Sequence, residues 1–234
     1  MKQRTRHLPY ISWFSTKLKW RVLLGAVLAS SSGGASAVFT FTSNLGNNDP
    51  RVITMTVGSP LSGVVNRVTF DVSGSNVSSS SSSITGSTDA PATSVADGVL
   101  VEVATLSPKV TGGGGGSGVT VTLVANSSAG FTCVAGSGCG ATIIPATSVS
   151  WVSYLQETSS LAGQDIQDGA FTGSGSQLLA QFQTGTPGNN GNGSSSNSKG
   201  SATLSNILVF SYDNATLYPA GQYSGRVTFT ATIP

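Results

Sequence analysis

The chain has 234 residues, only 9% of them charged, and its formal net charge is +2. Six of the eleven Lys and Arg residues precede residue 22, so residues 38–234 hold five cations against nine acids, a net charge of −4. Binding to nucleic acid or anionic lipid needs clustered cations that replace counterions, so we predict neither as a partner. The abundance of Gly, Ser, Thr and Asn is typical of an extracellular β-protein with long loops.

Residues 1–37 have the pattern of a secretory signal peptide. They are basic up to Arg21, apolar from Val22 to Ala29, and end in the small residues Ala35-Ser36-Ala37. A retained membrane anchor is the alternative, but the apolar run is about half the roughly 20 residues that a spanning helix needs. We therefore expect cleavage after Ala37, no stable membrane span in the mature chain, transit through the periplasm and a final location outside the cell or on its surface.

Short alternating segments after residue 37 predict β-strands separated by turns. Low-complexity loops are expected over residues 73–97 and 184–200, and a turn of helix over 159–168. Trp151 is expected to fill the core, because its large side chain buries much apolar area. The predicted strands cover residues 38–42, 51–57, 65–72, 98–105, 119–125 and 149–154, and residues 170–183 return to apolar content.

Two internal hairpins are predicted. The glycine run 112–116 is interpreted as the flexible tip that joins the strands before and after it. Residues 131–144 are interpreted as a hairpin closed by a Cys133–Cys139 disulfide, since an even number of cysteines in an exported chain favours pairing. The alternative, a redox-active pair, lacks both the Cys-x-x-Cys spacing and a flanking Lys or His. So short a loop contributes about 2–3 kcal/mol, enough to pin a hairpin tip.

The C-terminal residues 201–234 predict a third hairpin. In the first arm, alternating positions carry Leu204, Ile207, Val209 and Ser211; turn residues follow from 213 to 222. The second arm has a strict period of two, with its apolar side chains at Val227, Phe229, Ala231 and Ile233. Together the segments predict an all-β fold: one antiparallel β-sandwich domain over residues 49–234, preceded by a β segment at 38–48.

Catalytic and metal-binding residues are scarce. The single histidine is His7, so residues 38–234 lack Ser-His-Asp, Cys-His and histidine metal sites. Carboxylate pairs for glycoside hydrolysis remain as alternatives, namely Glu102 with Glu157 or Asp165 with Asp168. Glu102, however, alternates with apolar strand residues, and the two aspartates are typical of turns. We predict a protein that is not an enzyme and has no cofactor.

Four weaker signals have ordinary interpretations. Residues 163–169 hold two acids and a glycine, but they lack the dense oxygen ligands of a calcium loop and favour a turn. The glycine run carries no Gly-Lys-Ser/Thr and so is no phosphate loop. Lys109 and Lys199 are candidates for an isopeptide bond, with solvated lysines as the default. Asn-x-Ser/Thr triplets, expected by chance in this composition, begin at Asn76, Asn126, Asn192 and Asn214.

Residues 218–230, YPAGQYSGRVTFT, resemble the closing segment of bacterial secreted pilin-like subunits, the spore-coat-U-like and alternative or archaic chaperone–usher fimbrial family. The shared pattern is a glycine, an aromatic residue two positions on, and an alternating strand to the C-terminus. The resemblance implies an incomplete immunoglobulin-like domain that a neighbouring subunit's N-terminal strand completes. It places Val38, Phe39 and Phe41 in the donor strand, and Val227, Phe229, Ala231 and Ile233 along the acceptor edge.

The resemblance also implies self-association into a fibre, with a periplasmic chaperone and an outer-membrane usher as partners. The expected function is a structural subunit of a bacterial surface fibre, such as a pilus or fimbria, which serves adhesion. The alternative is a self-contained β-sandwich that binds carbohydrate or another surface ligand. Its candidate contact residues are the tyrosines Tyr154, Tyr212, Tyr218 and Tyr223.

Overall fold

A computed structural model describes residues 52–58, 67–73, 76–78, 82–89, 92, 94–106, 119–155, 163–184 and 201–233. All of them belong to one compact unit, residues 34–234. The signal segment, the donor residues Val38, Phe39 and Phe41, the glycine run 112–116 and residues 185–200 lie outside the described residues. The described part contains no helix long and apolar enough to cross a membrane.

The described residues form an antiparallel all-β structure, which confirms the predicted fold class. One short 3₁₀ turn, Ala146–Ser148, precedes a strand. The strands are β1 Val52–Val57, β2 Val68–Thr69, β3 Ile84–Thr85, β4 Ser87–Thr88, β5 Gly98–Leu106, β6 Thr120–Asn126, β7 Phe131–Cys133, β8 Ile143–Ile144, β9 Val149–Leu155, β10 Gly169–Ala170, β11 Gln177–Gln183, β12 Ser201–Tyr212, β13 Tyr223–Gly225 and β14 Thr228–Thr232.

The strands form two main sheets and two small ones. The large sheet has the order β1, β5, β12, β9, β10, and β3 pairs with the end of β12. The second sheet has the order β11, β6, β14, so β6 is its central strand. The small sheets are β13, β7, β8 and the pair β2, β4. All of the pairings are antiparallel.

One apolar core joins the inward faces of the two main sheets. Val101 and Val103 of β5 and Leu123 of β6 are fully buried, as the period of two along a half-buried strand requires. Trp151 is 5% exposed, and its ring centroid lies 4.9 Å from that of Phe171. The burial of these apolar side chains supplies the main driving force for folding.

The predicted C-terminal hairpin is wrong. β12 pairs with β5 along one edge and with β9 along the other, whereas β14 pairs with β6 in the second sheet. A strand has only two hydrogen-bonding edges, so β12 has none left for β14. Of the predicted alternation in β12 only Leu204 lies on the inward face. The inward residues are Leu204, Asn206, Leu208, Phe210 and Tyr212.

Three other predictions need correction. β5 and β6 do not form a hairpin around the glycine run, because they belong to different sheets. Residues 73–97 are not one structureless loop, since β3 and β4 lie within them and Gly86 N–H donates to the Phe210 carbonyl at 2.9 Å. Residues 163–168, the described part of the predicted helical turn, form turns and bends. The hairpin of β7 and β8 and the disulfide beside it are confirmed.

Candidate strand-pairing site

The C-terminal strand β14 lies at an edge of the second sheet. It pairs with β6, and among the described residues no strand pairs with its other side. Its inward side chains are of two kinds: Ala231 and Ile233 are buried, whereas Val227 and Phe229 are half-buried against the core. The latter two therefore leave apolar surface near this edge.

The register of β14 on β6 is fixed on both faces. On the inner face Ala231 lies opposite Leu123, which is fully buried. On the outer face the hydroxyl groups of Thr122 and Thr232 form a hydrogen bond of 2.6 Å. Because a slip of one residue would exchange the two faces, these pairs hold the apolar side chains of β14 toward the core.

The first described strand, β1, is an edge strand as well. It pairs with β5, and none of the described strands borders its other side. Ile53 and Met55 point into the core and are buried, while Val52 is 43% exposed. β1 lies close to β14. Within the described part of the chain, two strands that each pair with one neighbour in their sheet, β1 and β14, thus lie close together.

The chain that enters β14 is held by the disulfide loop. Cys139 is buried, and a Cβ atom built on Gly221 would lie 2.6 Å from its sulfur, so only a glycine fits there. Val134 N–H donates to the Gln222 carbonyl at 2.7 Å. The Ser137 hydroxyl accepts a hydrogen bond from Gln222 N–H at 3.1 Å. β13 follows at once and pairs with β7, so the disulfide loop sets the path of the chain into β14.

The predicted tyrosine candidates separate into different environments. Tyr154 is 44% exposed on the large sheet. Tyr212 is buried at the end of β12, and burial, followed by the neighbouring Tyr218, Asp213 and Tyr223, raises the pKa of its hydroxyl. Tyr218 and Tyr223 are half-buried neighbours beside the disulfide loop.

The loop before β10 carries the two aspartates considered as catalytic or calcium-binding residues. Asp165 Oδ1 accepts hydrogen bonds from Gly163 N–H at 3.1 Å and from the Gln167 amide at 2.7 Å. Asp168 Oδ1 accepts from Ser153 N–H at 2.7 Å. The described residues contain no group of three side chains suited to a metal ion. These bonds hold the loop as a turn around an open cavity of about 450 Å³.

Sequence reasoning missed the residue that anchors this loop, Asn206. It is fully buried in β12, its oxygen accepts from Ile166 N–H at 3.4 Å, and its amide donates to the Ser153 hydroxyl at 3.0 Å. The available signal was an asparagine in the middle of an apolar strand, since a buried amide needs hydrogen-bond partners. Of the other candidates, Glu102 is half-buried on the outer face of β5, and Glu157 lies outside the described residues.

In comparisons with known proteins, the chain matches no family model, no curated protein and no solved structure. The arguments for its function therefore come from its own residues and geometry.

Proposed function

We propose that this chain is a non-enzymatic structural subunit of a bacterial surface fibre, assembled by β-strand complementation between copies. One observation carries the proposal. Among the described residues the C-terminal strand β14 has a neighbour on one side only, and it lies beside the other edge strand, β1. A strand added along β14 would hydrogen-bond to the backbone groups that point away from β6.

The physical reason for adding a strand is twofold. A long sheet edge presents N–H and C=O groups that invite pairing with another chain. Half-buried Val227 and Phe229 leave apolar surface that an added strand would cover. The occupant in this proposal is residues 38–48 of a second copy, with Phe39 and Phe41 as its alternating side chains and Val38 at its start. The choice of this donor rests on the sequence resemblance.

The finer parts of the proposal follow from the same resemblance. The domain would be an immunoglobulin-like sandwich that lacks one strand. Residues 1–37 would direct export, after which a periplasmic chaperone would cover the edge and an outer-membrane usher would release the subunit at the cell surface. A role in structure rather than catalysis agrees with the bonds of the two aspartates: the Asp165 carboxylate accepts from amide groups within its own turn, and the Asp168 carboxylate accepts from Ser153 N–H of β9.

The test uses the full chain exported from a bacterial host, together with a variant that lacks residues 38–48. A matched control lacks residues 186–196, a deletion of equal length in the predicted loop. Each secreted product is separated by size exclusion and run on a denaturing gel with and without boiling. The proposal expects a ladder that survives without boiling, that persists in the control and that disappears when residues 38–48 are absent.

The opposite result is equally defined. A compact monomer with a cooperative unfolding transition, which is destabilised by the loss of residues 38–48, would mean that this segment completes its own sheet. That outcome would overturn assembly between copies. Adding intact chain to the shortened variant separates the two cases further, because donation between copies allows the shortened chain to join the end of a ladder and completion within one copy does not.

A further inference from the structure

Two half-buried tyrosines, Tyr218 and Tyr223, form a pair beside the disulfide loop. The ring centroids of Tyr218 and Tyr223 are 6.5 Å apart with an angle of 64° between the planes, an edge-to-face arrangement. Both residues are half-buried, so part of each ring meets solvent. Tyr212, which is close enough to interact electrostatically with both, is buried, and its ring centroid lies 6.1 Å from that of Phe70. We call Tyr218, Tyr223 and the Cys133–Cys139 loop the tyrosine tip.

The tip is held in place before any ligand arrives. The Tyr223 hydroxyl donates to the Pro219 carbonyl at 2.9 Å, which fixes its ring. Between the two tyrosines, Gly221 packs against Cys139, and Gln222 is bonded to Ser137 at both its N–H and its carbonyl, at 3.1 and 3.2 Å. A preorganised pair of rings loses little conformational entropy on binding, which favours the use of this surface for recognition.

The chemistry of the tip selects a neutral, amphipathic ligand. Residues 131–144 and 214–225, which build it, contain no charged side chain, and the nearest charged residues in the sequence are Asp213 and Arg226, which have opposite signs. The exposed side chains that border the rings include Leu217, at 58%, and Gln222. Aromatic faces pack on apolar C–H surfaces, while phenolic, amide and backbone groups exchange hydrogen bonds with hydroxyl groups.

We propose that the tyrosine tip is a binding site for a neutral saccharide. A sugar ring offers both properties that the tip matches: an apolar C–H face for Tyr218 and Tyr223, and hydroxyl groups for the Gln222 amide and the backbone of the glycine-rich loop. Anionic glycans and nucleic acids are disfavoured, because no Lys or Arg lies within residues 131–144 and 214–225, and the two charges that flank them, Asp213 and Arg226, are of opposite sign. This site does not depend on strand pairing.

The test titrates the full secreted chain with neutral oligosaccharides of four to six units, made of β-1,4-glucose, β-1,4-N-acetylglucosamine, α-1,4-glucose or α-mannose. Binding is followed by calorimetry and by the ring resonances of the tyrosines. At least one sugar is expected to shift the Tyr218 and Tyr223 resonances, with an affinity independent of salt between 50 and 500 mM. Tyr218→Ala is expected to weaken binding about fivefold to tenfold, since it removes one stacking face.

Tyr154→Ala is the matched control, because it removes an exposed tyrosine from the large sheet and should leave the affinity unchanged. The resonance shifts of the unsubstituted chain keep the test valid if Tyr218→Ala folds poorly. The proposal is overturned if no neutral sugar of the panel binds. It is overturned as well if sugar binding shifts resonances away from the tip, if only anionic sugars or proteins bind there, or if both alanine variants lose affinity equally.

Discussion

The side-chain amide of Asn206, fully buried in β12, donates a hydrogen bond to Asp165 Oδ2 at 3.3 Å. The same amide donates to the Ile166 carbonyl at 3.3 Å. Next to these bonds, the Trp151 indole N–H donates to the Gln167 carbonyl at 2.9 Å. The turn before β10 is thus fastened to the central strands of the large sheet, and its aspartates serve that attachment.

Asn206→Ala should lower the free energy of unfolding by about 2–4 kcal/mol, because it leaves the buried N–H and carbonyl of Ile166 without their partner and removes one bond of the half-buried Asp165 carboxylate. Urea unfolding followed by Trp151 fluorescence measures the change. Asn126→Ala is the control, since Asn126 is exposed and its side chain bonds locally to Ser128. Equal losses in the two variants would contradict the anchoring role of Asn206.

The contact between Gly221 and the disulfide gives a second prediction. A Cβ atom at residue 221 would lie 2.6 Å from Cys139 Sγ and 2.8 Å from its Cβ, and the disulfide cannot move aside. Gly221→Ala should therefore cost about 1–3 kcal/mol of unfolding free energy through overpacking. Gly175→Ala, which meets no atom within 4 Å, is the control. If thermal unfolding is unchanged in Gly221→Ala, the disulfide loop can shift to make room for a Cβ atom, which would contradict the prediction.

Much of the fold is predictable from the sequence, because apolar and polar residues alternate with a period of two along a half-buried strand. The strand predicted over residues 51–57 is present as β1, with Ile53 and Met55 buried, and Trp151 lies in the core between aromatic neighbours. The small hairpin of β7 and β8 is local, since only residues 134–142 separate its two strands, and turn residues and cysteines mark it.

What the sequence does not contain is the identity of distant partners. The period of two indicates that β12 and β14 are strands, but it does not determine the sheet to which each belongs. β12 is buried on both faces between Leu204 and Leu208, as a central strand is. Apolar residues therefore do not alternate cleanly with polar ones, and the sequence pattern does not identify the inward face. Asn206 was missed for the same reason: its partners are 40 or more residues away.

The disulfide should stabilise the C-terminal segment more than the core. Replacing both Cys133 and Cys139 by Ser removes a constraint worth about 2–3 kcal/mol in the chain-entropy model, and we expect the loss to appear as local opening of the segment that the loop holds. Because the loop contacts residues 221–225 rather than the main sheets, amide hydrogen exchange should rise at least tenfold in β13 while β5 stays protected. Exchange that rises equally in β5 and β13 would mean that the bond stabilises the whole fold.

The buried hydroxyl of Tyr212 makes stability depend on alkaline pH. Burial, with Tyr218, Asp213 and Tyr223 nearby, raises its pKa above the ordinary value of 10.0. Above pH 10 the unfolded chain therefore loses this proton before the folded chain does, so the contribution of Tyr212, fully present below pH 10, is lost as the pH rises through the folded pKa. The free energy of unfolding should fall with pH above 10, and that of the Tyr212→Phe variant should fall less steeply.

Urea titrations between pH 8 and 11 measure both slopes, with Tyr154→Phe as the control at an exposed position. A Tyr212→Phe slope equal to that of the unsubstituted chain would rule out Tyr212 as the source of the dependence.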